Sequence, residues 1–151
     1  LDRFLMRLSM GYLSTAQERQ LLTSLRREHP IAHVRQVEDS ERLLELQHLV
    51  WEVHVDESLQ DYIVRLVAAT RDSTDLALGA SPRASLALFK TAQALAALRG
   101  RDHVIPDDVK YLAPFTLTHR LIVKPESELR GRTARTILSD ILAATPLKLE
   151  L

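Results

Sequence analysis

The residues most open to chemistry lie in G-A-S-P-R-A-S-L-A-L-F, from Gly79 to Phe89. Ser81 is a good helix N-cap and Pro82 a good first helical residue, which places Arg83 in the first turn of the helix that follows. A cation is disfavoured at that end of a helix, by roughly 0.3–1 kcal/mol at an exposed site. An anion is favoured there. Free backbone N–H groups beside a guanidinium make a phosphate site, and Gly79 lets the chain approach it tightly. The alternative is a surface arginine paired with Asp72, Asp75 or Asp102.

Other chemistries find fewer parts. The chain has no Cys, so it holds no disulfide, thiolate metal site or cysteine nucleophile. Among its six His, His29 and His33 stand four apart but flank Pro30, so they cannot share one regular helical face. No G-x-x-x-x-G-K-[ST] loop is present to cradle phosphates, no carboxylates follow a strand to hold Mg²⁺, and no G-x-S-x-G elbow presents a serine. On its own the sequence does not supply an enzyme's parts. The 20 basic and 20 acidic side chains cancel, which counts against a nucleic-acid-binding face. No apolar run approaches the ~20 residues of a membrane span, and no signal peptide is visible.

The length of 151 residues suits one domain, and a chain rich in Leu and Ala with only four Gly suits packed helices. Residues 1–13 read as an extended lead-in. Ser14 with Gln17, or Thr15 with Glu18, forms a capping box for a first helix that Pro30 stops near His29. His33 to Val37 reads as extended. Ser40 caps a second helix and Asp56 a third, whose Leu59, Tyr62, Ile63, Leu66, Val67 and Thr70 form a stripe of period 3.6. The fourth helix runs from Pro82 to Gly100 at C′. It is apolar on nearly every side and so central. A fifth begins at Pro106 and is interrupted or restarted at Pro114. A last one covers about Thr133 to Ala144. The expectation is an all-α bundle of about six helices, with one very short β pairing between Val53–Val55 and His103–Ile105.

Three segments extend this reading. G-A-S-P-R-A-S-L-A-L, A-L-A-A-L-R-G-R-D-H-V-I-P-D-D-V and T-H-R-L resemble the C-terminal part of MoxR-type AAA+ ATPases, and the opening L-D-R-F-L-M-R-L-S-M-G-Y resembles the end of their nucleotide-binding core. Magnesium-chelatase subunits and replicative helicases of the same branch share parts of it less closely. The resemblance implies that residues 14–151 form an α-helical AAA+ lid and residues 1–13 the last of the core. A beginning at Leu1 rather than Met fits a piece of a longer protein.

By the same resemblance Arg83 is the sensor 2 residue. It touches the terminal phosphates of ATP bound to the same subunit's core, with Ser81 and Pro82 positioning the helix N-terminus. Arg3 is an arginine finger reaching the ATP of a neighbouring subunit. The parent would use ATP and Mg²⁺ and assemble as a ring, expected to be a hexamer. Its partners would be its own core, neighbouring subunits and proteins with von Willebrand factor A domains. It would act like a chaperone in the cytoplasm, without membrane or nucleic acid.

Arg99, Arg101, Asp102, His119 and Arg120 also match recurrent letters of that family, and a structural role is expected for each. Asp102 and Arg120 would form internal ion pairs, and Asp107 and Asp108 would serve a helix start. Arg130, Arg132 and Arg135 read as a solvated face. Two readings compete with the lid: a helix-turn-helix over Pro106 to Arg120 that binds DNA, and a stand-alone protein-interaction domain.

Overall fold

The computed structural model describes residues 2–25 and 29–147. Its contacts divide the chain into two units, Leu8–Gln47 and a larger one formed by Leu1–Arg7 with His48–Leu151. The smaller unit holds α1 (Thr15–Ser24), a 3-10 turn (Pro30–His33) and the first part of α2 (Ser40–Trp51). The expected capping box forms between Ser14 and Gln17. Two local expectations change. Ser40 is already helical, and Asp39 is the cap, its Oδ1 accepting from the Arg42 N–H at 2.7 Å. The turn at Pro30–His33 takes up the start of the segment expected to be extended, because Pro30 presets its first φ.

The larger unit contains α3 (Glu57–Asp72), β1 (Leu76–Leu78), α4 (Pro82–Leu98), α5 (Pro106–Leu117), a 3-10 turn (Thr118–Arg120), β2 (Ile122–Val123), α6 (Pro125–Leu129) and α7 (Ala134–Ala144). All six residues of the expected stripe on α3 are buried. The central helix is α4, which packs on α3 and α5. Ala84, Leu88, Ala92 and Ala96, all buried, recur every four residues and make a low ridge that lets neighbouring backbones come close. Leu86 and Leu98 on the same helix are 66% and 86% exposed, so α4 is not covered on every side.

Pro114 does not stop α5. It removes one N–H that would have bonded the Lys110 carbonyl, but Lys110 is exposed and water can serve that carbonyl. Leu112, Ala113, Thr116 and Leu117 are buried around it and hold the helix in place. After α5 come a turn and a strand rather than a second helix, so no helix-turn-helix forms over Pro106–Arg120.

The expected short pairing is present as a single parallel bridge between His54 and His103. The His54 N–H donates to Asp102 O at 2.8 Å and the Val104 N–H to His54 O at 2.9 Å. A second pairing was not expected: β1 and β2 run antiparallel, with Leu76 opposite Val123. Seven α-helices occur among the described residues. The helix beyond expectation, α6, has five residues, too few to show a period.

Arg132 leaves the solvated-face group. It pairs with Asp140 at 2.6 Å and Asp75 at 3.3 Å, while Arg130 and Arg135 are exposed as expected.

The start of α4 is set by α3 and Gly79. The buried Thr70 hydroxyl donates to Val67 O at 2.6 Å and accepts from the Ala80 N–H at 2.9 Å, tying the last turn of α3 to the residue before Ser81. Gly79 crosses the α3 backbone so closely that a Cβ there would lie 2.6 Å from both Arg71 Cα and Thr70 O. Backbone atoms cannot swing aside as a side-chain tip can. Gly79→Ala is therefore expected to destabilise the chain by about 2–3 kcal/mol. Urea unfolding measures this, and a midpoint equal to that of the unsubstituted chain would show the crossing to be slack.

Candidate functional site

Ser81 is the N-cap of α4 with extended φ and ψ, but its side chain makes no capping hydrogen bond. Its Oγ lies instead 3.4 Å from both carboxylate oxygens of Asp2. Pro82 is the first helical residue, and Arg83 follows with 58% of its side chain exposed. The Arg83 Nη1 is 3.9 Å from Asp2 Oδ2. Its acidic neighbour is thus Asp2, rather than any of the three acids proposed from sequence. Asp75 is held by Ser127 and Arg132, and Asp102 by the adjacent His103 at 2.8 Å.

The second cation on Asp2 is Arg120, whose side chain is 1% exposed. Its guanidinium reaches the Asp2 carboxylate at 2.8 Å and the Asp2 carbonyl at 2.6 Å. It also donates to Phe4 O at 2.7 Å and, from Nε, to Thr116 O at 2.8 Å. Arg120 therefore forms an ion pair, but with Asp2 of the opening segment rather than within residues 14–151, and Asp102 meets its neighbour His103. Partial burial pushes the Asp2 carboxyl up, and this is outweighed by the Arg120 hydrogen bond, the charges of Arg120 and Arg83, and Ser81. The net result is a carboxyl below its ordinary value. A carboxylate thus sits between the two arginines and next to the uncapped start of α4. An anion is what that place attracts.

Arg3, the other arginine singled out, follows Asp2 directly. Its side chain is exposed and has no ion-pair or hydrogen-bond partner among the described residues.

A different cluster shows what arginines do here when they serve the fold alone. Asp108 is fully buried and receives Arg99 at 2.9 Å and Arg101 at 2.7 and 2.8 Å. The Ile105 N–H adds a bond at 3.1 Å. This clamp ties the end of α4 to the start of α5. Burial raises the Asp108 carboxyl, but Arg101, the Ile105 N–H and Arg99 together leave it below the ordinary value. Asp107, its neighbour in the first turn, is exposed. Sequence reasoning assigned both acids to the helix start. Only Asp108 also neutralises two arginines.

The AAA lid domain family matches residues 68–141. The chain is 46% identical over 144 residues to the uncharacterized protein YeaC of Bacillus subtilis (strain 168), covering 95% of this chain and 45% of that protein. It is 40% identical over 131 residues to chaperone MoxR1 of Mycobacterium tuberculosis (strain H37Rv), covering 81% of this chain and 34% of MoxR1. The crystal structure of a protein from Cytophaga hutchinsonii ATCC 33406, named as a candidate ATPase, superposes over 98% of this chain and 48% of its own. The TM-score is 0.88 at 30% identity. The chain thus spans about half the length, or less, of these relatives. Among the described residues no helix is long and apolar enough to cross a membrane.

Proposed function

Because this chain belongs to the lid region of MoxR-type AAA+ ATPases, we propose that it closes over ATP held by a nucleotide-binding core and couples hydrolysis to remodelling of protein complexes. The observation that carries this reading is Arg83: an exposed cation in the first turn of the central helix, at an end with no side-chain cap. Ser81 and Pro82 set that helix start, and Arg83 binds terminal phosphate oxygens through its fork of donors. ATP supplies the anion, and Mg²⁺ would be held by the core. When the terminal phosphate departs, Arg83 loses its partner and the lid is free to turn. Arg3 reaches the nucleotide of a neighbouring subunit and stabilises charge that builds up during phosphoryl transfer. The assembly is a ring, a hexamer by family resemblance, acting like a chaperone in the cytoplasm on partners that include von Willebrand factor A domain proteins.

An active site shared between subunits makes a concentration-dependent enzyme. For the full-length protein, ATP turnover per subunit is expected to rise with protein concentration and to level off as rings form, with sedimentation following assembly on the same samples. Turnover independent of concentration across the assembly range would remove the shared site. A full-length protein that neither binds nor hydrolyses ATP would remove the whole reading.

A further inference from the structure

We propose that Arg120 is the positioning residue for Arg3. The segment on either side of Arg3 is held, while Arg3 itself is left free. Arg120 donates to the carbonyl of the residue before it, Asp2 O at 2.6 Å, and of the residue after it, Phe4 O at 2.7 Å. A longer bond reaches Leu5 O at 3.4 Å. The neighbouring His119 places Nε2 3.1 Å from Phe4 O, and the Arg7 N–H donates to Phe115 O at 2.8 Å. Residues 2–7 are thus fastened to the end of α5 and the turn after it. The Arg3 guanidinium has no partner among the described residues.

A guanidinium suits this task because its donors are planar and fixed. One group can read two carbonyls and one carboxylate at once, which a lysine ammonium on a flexible stem cannot do in the same geometry. The cation is buried, so its contacts are not diluted by water, and the Nε bond to Thr116 O fixes its own orientation. Asp2 carries the arrangement further. Its carboxylate faces both Arg120 and Arg83, so the arginine proposed for one nucleotide and the arginine proposed for the next are joined through a single residue.

This inference rests on Arg3 acting on a neighbouring subunit's ATP. Its test is a set of variants in the full-length protein, read by single-turnover and steady-state phosphate release. Arg3→Ala is expected to lower kcat about 1,000-fold. Arg120→Lys is expected to lower kcat about 10- to 100-fold, the loss typical of a misplaced group, with KM for ATP within about twofold. The double variant is expected to be no slower than Arg3→Ala alone, because Arg120 acts only through Arg3. If Arg120→Lys does not fold, Asp2→Asn replaces it. Asp2 is half exposed and the carbonyl clasp survives, so a smaller loss is expected; because Asp2 also faces Arg83, that loss should persist in the Arg83→Ala background and vanish in the Arg3→Ala background. Losses that multiply in the double variant, or a raised KM with kcat unchanged, would overturn the positioning role while leaving the lid function standing. If Arg3→Ala turns over normally while Arg83→Ala is impaired, the finger and its positioning both fall and the lid function survives. If neither variant is impaired, the failure lies in the lid reading itself.

Discussion

Replacing Arg83 by alanine in the full-length protein is expected to lower ATP turnover about 100-fold while changing stability by less than about 1 kcal/mol. The size of the loss is that of one preorganised charge removed from a phosphoryl-transfer site. The small change in stability follows from the geometry. Arg83 and Asp2 are both about half exposed at 3.9 Å, a pair worth at most about 1 kcal/mol. Against that, removing a cation from the positive end of α4 gains a few tenths of a kcal/mol. Asp2 keeps its stronger partner, Arg120. Arg83→Lys retains the charge but not the fork, and its turnover is expected between the two. Phosphate release and thermal unfolding on the same preparations check this. Turnover that falls only as far as folded protein is lost would make Arg83 a structural arginine, and unchanged turnover would take it out of the nucleotide site.

The opposite signature is expected at Asp108. Asp108→Ala leaves the guanidinium of Arg101, the half-exposed Arg99 and the Ile105 N–H without their shared acceptor. Breaking a buried pair by removing one member costs about 3–5 kcal/mol. The lower end applies here, about 3 kcal/mol, because both arginines keep some contact with water. Asp108→Asn is expected to lose less, since the amide keeps one acceptor. Because the folded carboxyl lies below its ordinary value of 3.8, its contribution is complete above that value and fades as pH falls toward the folded one. The stability gap between the two chains should therefore be widest near neutral pH and narrow below about pH 4. Urea unfolding across that range measures it. A gap that stays constant into acid would mean that charge is not what Asp108 contributes.

How much of this was legible in the sequence depended on the range of the signal. The α3 stripe, the Ser14–Gln17 capping box and the Ser81-Pro82 helix start are local, with every partner within a few turns, and period and cap chemistry reveal them. Pro114 signals a break that α5 does not show, because its local cost is real but small beside the buried neighbours that hold the helix through it. The strands β1 and β2, three and two residues long and more than forty positions apart, carry no local pattern. The candidate site divides in the same way. Arg83 was visible because a cation in the first turn of a helix is a local anomaly, and Arg3 because its motif resembles that of the family.

What the sequence by itself determined is therefore the class of the fold, the family resemblance and the two arginines worth testing. Only the tertiary structure decided which acid meets which arginine. Asp107 and Asp108 are neighbours of identical chemistry in one helical turn, and the rotation of α5 against the end of α4 buries one and leaves the other in water. Asp2 lies 118 positions from Arg120 and meets it only when residues 2–7 lie along the end of α5. A charge has no periodicity and can pair with any opposite charge. Its partner is set by which backbone segments the apolar core brings together and which side chains are then cut off from solvent.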